Sequence, residues 1–265
     1  MTMSLADVAG LKVRYELTGP PQAPVVVLSH SLGADLTMWD PQQQVLVKSF
    51  RVLRYDTRGH GGSGLAPEPW TLAMLANDVL GLLDALGLTR VHFCGLSMGG
   101  LVGMWLGAHA ASRIDKLVLS STGARIGTAE SWNARIESVR QGGMKSISSS
   151  VLDRWLTPEF RRAAPEAVAR VRRLIERTPP LGYAACCAAL RDADERADLA
   201  AIRAATLVLS GKHDPATPPA DGQAIASAVA GARYVELPAA HLSNIEAAAA
   251  FNVELLGFLA GERAR

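Results

Sequence analysis

The sequence predicts a fold of the α/β class: a mostly parallel, doubly wound sheet with an inserted helical cap. Three observations carry this reading. Short apolar runs ending in turn residues recur at 25–29 (VVVLS), 51–56 (RVLRYD), 91–95 (VHFCG), 116–121 (KLVLSS), 206–211 (TLVLSG) and 233–238 (RYVELP). Unbroken β-branched runs of this kind suit strands buried on both faces. Helical patterns separate most of them, as a doubly wound sheet requires. From about Gly123 to Ala205 the alternation stops, and helix-like stretches follow one another without a strand.

In chain order, residues 5–17 alternate weakly and read as an antiparallel edge. Asp40-Pro41, after the first long strand, reads as the N-cap and first residue of a helix. Residues 71–87 place Leu72, Leu75, Val79, Leu82, Leu83 and Leu86 on one face. Thr71 is positioned to cap that helix and Gly87 to end it in a left-handed turn. The interrupted region divides into helical stretches at 129–141, 144–156, 158–177 and 184–203. It holds 14 basic residues against 10 acidic ones, a net of +4 that leaves the rest of the chain at −2. The division expected is therefore a core of 1–122 and 205–265, with 123–204 as the cap. A lid over a site and a plain helical layer both fit that pattern.

Composition narrows the classes of function. A chain of 265 residues with 49% apolar residues can bury a substantial core. A net charge of +2 gives no reason to expect nucleic acid as a partner. The N-terminal MTMSLADVAG lacks the basic start and apolar run of a secretory signal. No window approaches the ~20 apolar residues of a membrane span. Three cysteines, Cys186 and Cys187 being adjacent, make neither a disulfide framework nor a metal-ligand spacing. A reduced cytoplasm is the expected location, and nothing in the sequence sets an oligomeric state.

The chemistry concentrates at Gly95-Leu96-Ser97-Met98-Gly99, a G-x-S-x-G with a strand before it and a helix of small residues after it. In that context Ser97 stands on a sharp turn above the sheet, where the N-terminal N–H groups of the helix can hold an oxyanion. A serine hydroxyl needs a base, and six histidines compete. His92 and His109 fall inside a strand and a helix and read as packed or surface residues. His30 and His60 precede turns and read as loop braces, as do Asp56 and Arg58. His213 reads as a turn residue. His241, just past the last strand, sits at a carboxyl end, where sites form in open α/β sheets. A carboxylate must then hold the imidazole. Asp214 follows the strand at 206–211, whereas the strand at 116–121 is followed by Ser121, Thr122 and Gly123 with no acid. The order Ser97, Asp214, His241 is that of α/β-hydrolases. Leu32, in SHSLG after the first long strand, and Met98 are the candidate backbone donors of the oxyanion hole.

Longer stretches carry a resemblance. HSLGADLTMWDPQ (30–42), YDTRGHGGS (55–63), GLSMGG (95–100), GYAACCAALRDAD (182–194) and HLSNIE (241–246) resemble the 3-oxoadipate enol-lactonases, a family of the α/β-hydrolase fold. The second and third are widespread in the superfamily; the first and fourth are more particular to the lactonases. The resemblance implies the same triad and the hydrolysis of an enol-lactone to 3-oxoadipate in the degradation of aromatic compounds by the β-ketoadipate pathway. It implies a small anionic lactone as the partner, with no metal and no organic cofactor. The substrate's carboxylate would give the basic insertion a purpose. Candidates to meet it are Arg135 and Arg154, each near a tryptophan, Trp132 and Trp155, that can form an apolar wall. Cys186 and Cys187 read as small packing residues. Two other readings keep the same residues: another ester, lactone or carbon–carbon bond hydrolase, and a receptor that binds its ligand in the pocket with little turnover.

Overall fold

The computed structural model describes residues 4–261; positions 1–3, part of the N-terminal stretch considered for targeting, and 262–265 lie outside them. Eight strands form one sheet: β1 (Ser4–Val8), β2 (Leu11–Thr18), β3 (Val25–Ser29), β4 (Arg51–Tyr55), β5 (Val91–Leu96), β6 (Ile114–Ser120), β7 (Ala205–Gly211) and β8 (Arg233–Leu237). Their order is β1-β2-β4-β3-β5-β6-β7-β8. The expected antiparallel edge is the β1–β2 hairpin, which joins β4 in antiparallel register. The other five pairings are parallel. Val26, Val27 and Leu28 of β3 and Leu117, Val118 and Leu119 of β6 are fully buried, as unbroken apolar runs require. The order reverses beside β3, which has β4 on one side and β5 on the other. Ligands bind at the carboxyl ends of strands beside such a switch point.

The helices of the sheet layers are α1 (Asp40–Leu46), α2 (Leu72–Ala85) and α3 (Met98–His109). α2 follows its sequence pattern: the Thr71 hydroxyl accepts from Met74 N–H at 3.2 Å, and Gly87 takes φ +67 just past its end. α1 departs from it. A 3-10 turn at Leu36–Trp39, capped by Asp35, already has the chain in helical conformation when it reaches Asp40. Asp40 is therefore the first helical residue rather than the cap, and its carboxylate accepts from Arg54 at 2.6 Å.

Between β6 and β7 run α4 (Ala129–Gly142), α5 (Lys145–Trp155), α6 (Pro158–Ala163), α7 (Pro165–Arg177) and α8 (Pro180–Asp192). The stretch 158–177 breaks in two because Pro165 offers no N–H and forces Ala164 out of the helical region, to φ −130 and ψ 59. The stretch 184–203 is shifted: the helix starts at Pro180 and stops at Asp192. Residues beyond it hold only a 3-10 turn at Leu199–Ala201, whose buried Leu199 and Ile202 mimic helical spacing. After β7 come α9 (Pro219–Ala228), α10 (Ser243–Glu246) and α11 (Ala248–Ala260). One connected apolar cluster runs from the sheet into α4, α5, α7 and α8. Among the described residues no helix is long and apolar enough to cross a membrane.

Candidate active site

The turn from β5 into α3 is held by contacts that leave no room for larger residues. A Cβ on Gly95 would lie 2.0 Å from the Gly99 carbonyl oxygen, and one on Gly99 would lie 2.2 Å from that of Ser29. Between them Ser97 adopts φ 58 and ψ −114, a left-handed conformation that costs a non-glycine residue about 1–3 kcal/mol. The surroundings enforce it. Ser97 N–H donates to Ser120 O at 2.9 Å, and the Thr122 hydroxyl donates to Ser97 O at 2.8 Å. The side chain lines a cavity of about 220 Å³.

His241 lines the same cavity, in the loop between β8 and α10. Its Nδ1–H donates to Asp214 Oδ2 at 2.7 Å, and both side chains are buried. Asp214 sits in the turn after β7, where the backbone folds around it. Oδ1 accepts from the N–H of Ala216 (2.8 Å) and Thr217 (3.1 Å), and Oδ2 also accepts from the Thr217 hydroxyl at 2.8 Å. Burial works to raise this carboxyl, but the His241 charge and hydrogen bond, with the Thr217 bonds, outweigh it and hold it below the usual carboxylate range. Asp214 is therefore an acceptor only. Nδ1 is thus the donor of the pair, and in a neutral ring that leaves Nε2 as the acceptor. The Trp155 ring stacks over His241, with centroids 6.3 Å apart.

The loop after β3 completes this end of the cavity through Ser31 and Leu32. Two buried histidines grip it. His60 Nε2 accepts from Gly33 N–H at 3.0 Å while its Nδ1–H donates to Arg58 O at 3.2 Å. His30 Nδ1–H donates to Ser31 O at 2.7 Å and its Nε2 accepts from Thr57 N–H at 3.0 Å. Burial first, and then His30, pushes the His60 pKa down to about 3, so its ring stays neutral and able to accept. Asp56 and Arg58 are braces too: Asp56 accepts from the N–H of Leu36 and Gly62, and Arg58 forms two 2.6 Å bonds to Asp78. Among the described residues, the N–H groups of Leu32 and Met98 donate to no other group of the chain.

The opposite wall comes from the helices between β6 and β7. Trp132 and Arg135 of α4 and Arg154 and Trp155 of α5 all line the cavity with Ser97 and His241. Trp132 is fixed by its indole N–H, which donates to Ile126 O at 2.6 Å, and the Arg135 guanidinium lies 5.1 Å from its ring centroid. No aspartate or glutamate is among the described residues that line the cavity beside Arg135 and Arg154. Burial, followed by the repulsion of Arg135, pushes the Arg154 pKa down. Two half-buried cations thus share a small cavity that supplies them no anion.

Tyr183 and Leu190 of α8, and Pro215 and Ala216 beside Asp214, also line the cavity and were missed from the sequence. Tyr183 lay within the GYAACCAALRDAD stretch, which was a signal for it. Cys186 and Cys187 are buried in α8, and burial pushes the Cys187 thiol up to about 12. Among the described cavity-lining residues His241 is the single histidine, and none is a cysteine, aspartate or glutamate.

Comparison with known proteins gives concordant matches. Residues 24–248 match the family model of the alpha/beta hydrolase fold. The 3-oxoadipate enol-lactonase 2 of Acinetobacter baylyi is 38% identical over 251 residues, 95% of this chain and 93% of that protein. The crystal structure of the enol-lactonase from Burkholderia xenovorans superposes with a TM-score of 0.96 at 47% identity, over 97% of this chain and 100% of that one. A thermophilic esterase from Thermogutta terrifontis, solved with malate bound, gives 0.92 at 29% identity, over 98% and 99% of the two chains.

Proposed function

The chain belongs to the α/β-hydrolase fold family and, within it, to the 3-oxoadipate enol-lactonases; from that premise we propose that it hydrolyses 3-oxoadipate enol-lactone to 3-oxoadipate through an acyl-enzyme on Ser97. The observation that carries the reading is the composition of one small cavity. It joins a serine on a strained elbow, a histidine backed by a buried carboxylate, and two arginines without an anion. The helices between β6 and β7 act as a cap that reads the substrate's carboxylate.

The steps follow from the groups present. The Ser97 hydroxyl attacks the lactone carbonyl carbon while His241 Nε2 takes its proton, and Asp214 stabilises the imidazolium that forms. The N–H groups of Leu32 and Met98 hold the negative oxygen of the tetrahedral intermediate. Collapse breaks the ring C–O bond, and the departing enolate oxygen takes the proton from Nε2. The enol remains tethered through the acyl group and tautomerises to the ketone. A water then loses its proton to His241, attacks the acyl carbon, and releases Ser97, which recovers the proton. Arg135 and Arg154 hold the carboxylate, a charge too hydrated to enter an apolar pocket without such partners.

The test is steady-state hydrolysis of 3-oxoadipate enol-lactone beside a neutral lactone of similar size. Repeated turnover of the carboxylated lactone, far weaker on the neutral one and reduced at least ~10⁴-fold in Ser97→Ala, is expected. Equal turnover of both lactones overturns the anionic substrate, retention by Ser97→Ala overturns the nucleophile, and a single turnover that stalls indicates a receptor.

A further inference from the structure

Away from the cavity, three side chains meet at the far end of the elbow helix. His109 is the last residue of α3, and Glu195 and Asp198 lie in the segment from α8 to β7. One nitrogen of His109 and one oxygen from each carboxylate lie within 4.8 Å of one another. His109 Nε2 is 3.3 Å from Asp198 Oδ2, and its ring lies against Trp105 with centroids 4.8 Å apart. Glu195 is the unusual member. It is only 6% exposed, and its buried Oε2 has no hydrogen-bond partner among the described residues. A buried carboxylate oxygen without a donor is costly to keep. Asp194, next in sequence, is already engaged by Arg196 and Arg125.

We infer that His109, Glu195 and Asp198 bind a divalent first-row transition-metal cation, with Zn²⁺ the ion that the donors fit best. One imidazole nitrogen and two carboxylates form a three-residue zinc set that leaves a fourth position for water. Mg²⁺ and Ca²⁺ favour all-oxygen shells. Donors about 2.0–2.2 Å from a tetrahedral ion stand roughly 3.4 Å apart. The His109–Asp198 pair is already at that spacing, and Glu195 need close by only an ångström or so. The ion supplies the charge that the orphaned Glu195 oxygen lacks.

This ion takes no part in the hydrolysis. His109 lies twelve residues beyond Ser97, about 18 Å along the helix. Its effect is on the cap. Glu195 N–H donates to Ala124 O at 2.8 Å, so the segments leading into and out of the inserted helices touch beside the site. An ion bound there fastens both segments to the elbow helix.

The test uses the full chain, stripped with chelator and titrated at pH 7.5 with ZnCl₂, followed by calorimetry and thermal unfolding. One equivalent should bind, and the Tm should rise by about 5 °C or more at 100 times the Kd. MgCl₂ at the same concentration should not raise it. Glu195→Gln, Asp198→Asn and His109→Gln should each abolish the shift. Should Glu195→Gln fail to fold, the exposed His109→Gln decides. No Zn²⁺-dependent shift in the unaltered chain, or one that persists in His109→Gln and Asp198→Asn, overturns the assignment.

Discussion

Replacing Asp214 by Asn tests the turn after β7 as a device for setting the tautomer of His241. Its two carboxylate oxygens are not equivalent. Oδ1 faces two backbone donors, the N–H groups of Ala216 and Thr217, and Oδ2 faces His241 Nδ1. An asparagine must keep its single oxygen on the side of the two N–H groups, because an amide NH₂ there would set donors against donors. The NH₂ is thereby turned toward His241 and donates to Nδ1. The ring must respond by carrying its proton on Nε2, where it can no longer take one from Ser97. A tautomer locked this way costs about 10⁴-fold in kcat, or about 5.5 kcal/mol of transition-state stabilisation. The KM should change little, since Asp214 does not line the cavity. The assay is kcat and KM on the enol-lactone at pH 7–9, with circular dichroism to show that the variant is folded. The acid limb of stability gives a second readout. The folded pKa of Asp214 lies below its ordinary value of 3.8, so the stability it contributes is present above that value and is lost as pH falls through the folded one. Asp214→Asn should flatten unfolding free energy against pH below about 4. A folded variant retaining more than about a tenth of the kcat would refute the tautomer argument.

Three other substitutions reach separate parts of the site. Arg154→Met should raise KM for the carboxylated lactone by about 10- to 100-fold, the worth of a hydrogen bond to a charged group, and leave a neutral lactone unaffected; equal losses on both would point to a collapsed pocket instead. Gly99→Ala places a methyl 2.2 Å from the Ser29 carbonyl oxygen, where nothing flexible can give way, so a loss of about 3 kcal/mol or more is expected; a Tm within 2–3 °C of the parent, roughly a 1 kcal/mol effect, contradicts that packing. For His60 the folded pKa is about 3 against an ordinary 6.5. The unfolded chain therefore takes up a proton that the folded one refuses, and stability should decline as pH falls from 6.5 toward 3. His60→Gln, which keeps an acceptor for Gly33 N–H, should flatten that decline in urea titrations, and an unchanged slope would show the ring is not held neutral.

The two walls of the cavity differ in how far the sequence discloses them, for a physical reason. Ser97, Asp214 and His241 sit directly after strands, and strand ends are marked locally by an apolar run meeting glycine, proline or aspartate. The parallel sheet then brings residues far apart in sequence to one edge without further information. Trp132, Arg135, Arg154 and Trp155 could be proposed from composition and resemblance, but which face of α4 or α5 turns inward depends on packing that local periodicity does not specify. The same limit produced the errors. Residues 193–203 have helical spacing because Leu199 and Ile202 are buried, yet the chain there is mostly irregular. Asp40 has the side chain of a cap, but Asp35 performs that role one turn earlier.

The contacts between the walls explain why the inserted helices and the sheet make one site. Leu242 N–H, beside His241, donates to Trp155 O at 3.0 Å, so the histidine loop and the end of α5 share a backbone hydrogen bond. Glu246 spans the same junction, accepting from Ala240 N–H at 3.0 Å and from the N–H and hydroxyl of Thr157. Gly33, whose N–H is held by His60, would bring a Cβ to 2.9 Å from the Tyr183 ring of α8. The His241 loop is therefore tied to the inserted helices by a backbone hydrogen bond, and the loop after β3 packs its backbone against the Tyr183 ring. A cap that shifted as a body would have to break hydrogen bonds at the His241 loop, and the arrangement that positions the arginines also positions the histidine. Under the proposed function these few contacts would couple substrate recognition to chemistry, so a change at Thr157 or Glu246, outside the cavity lining, should alter kcat as well as KM.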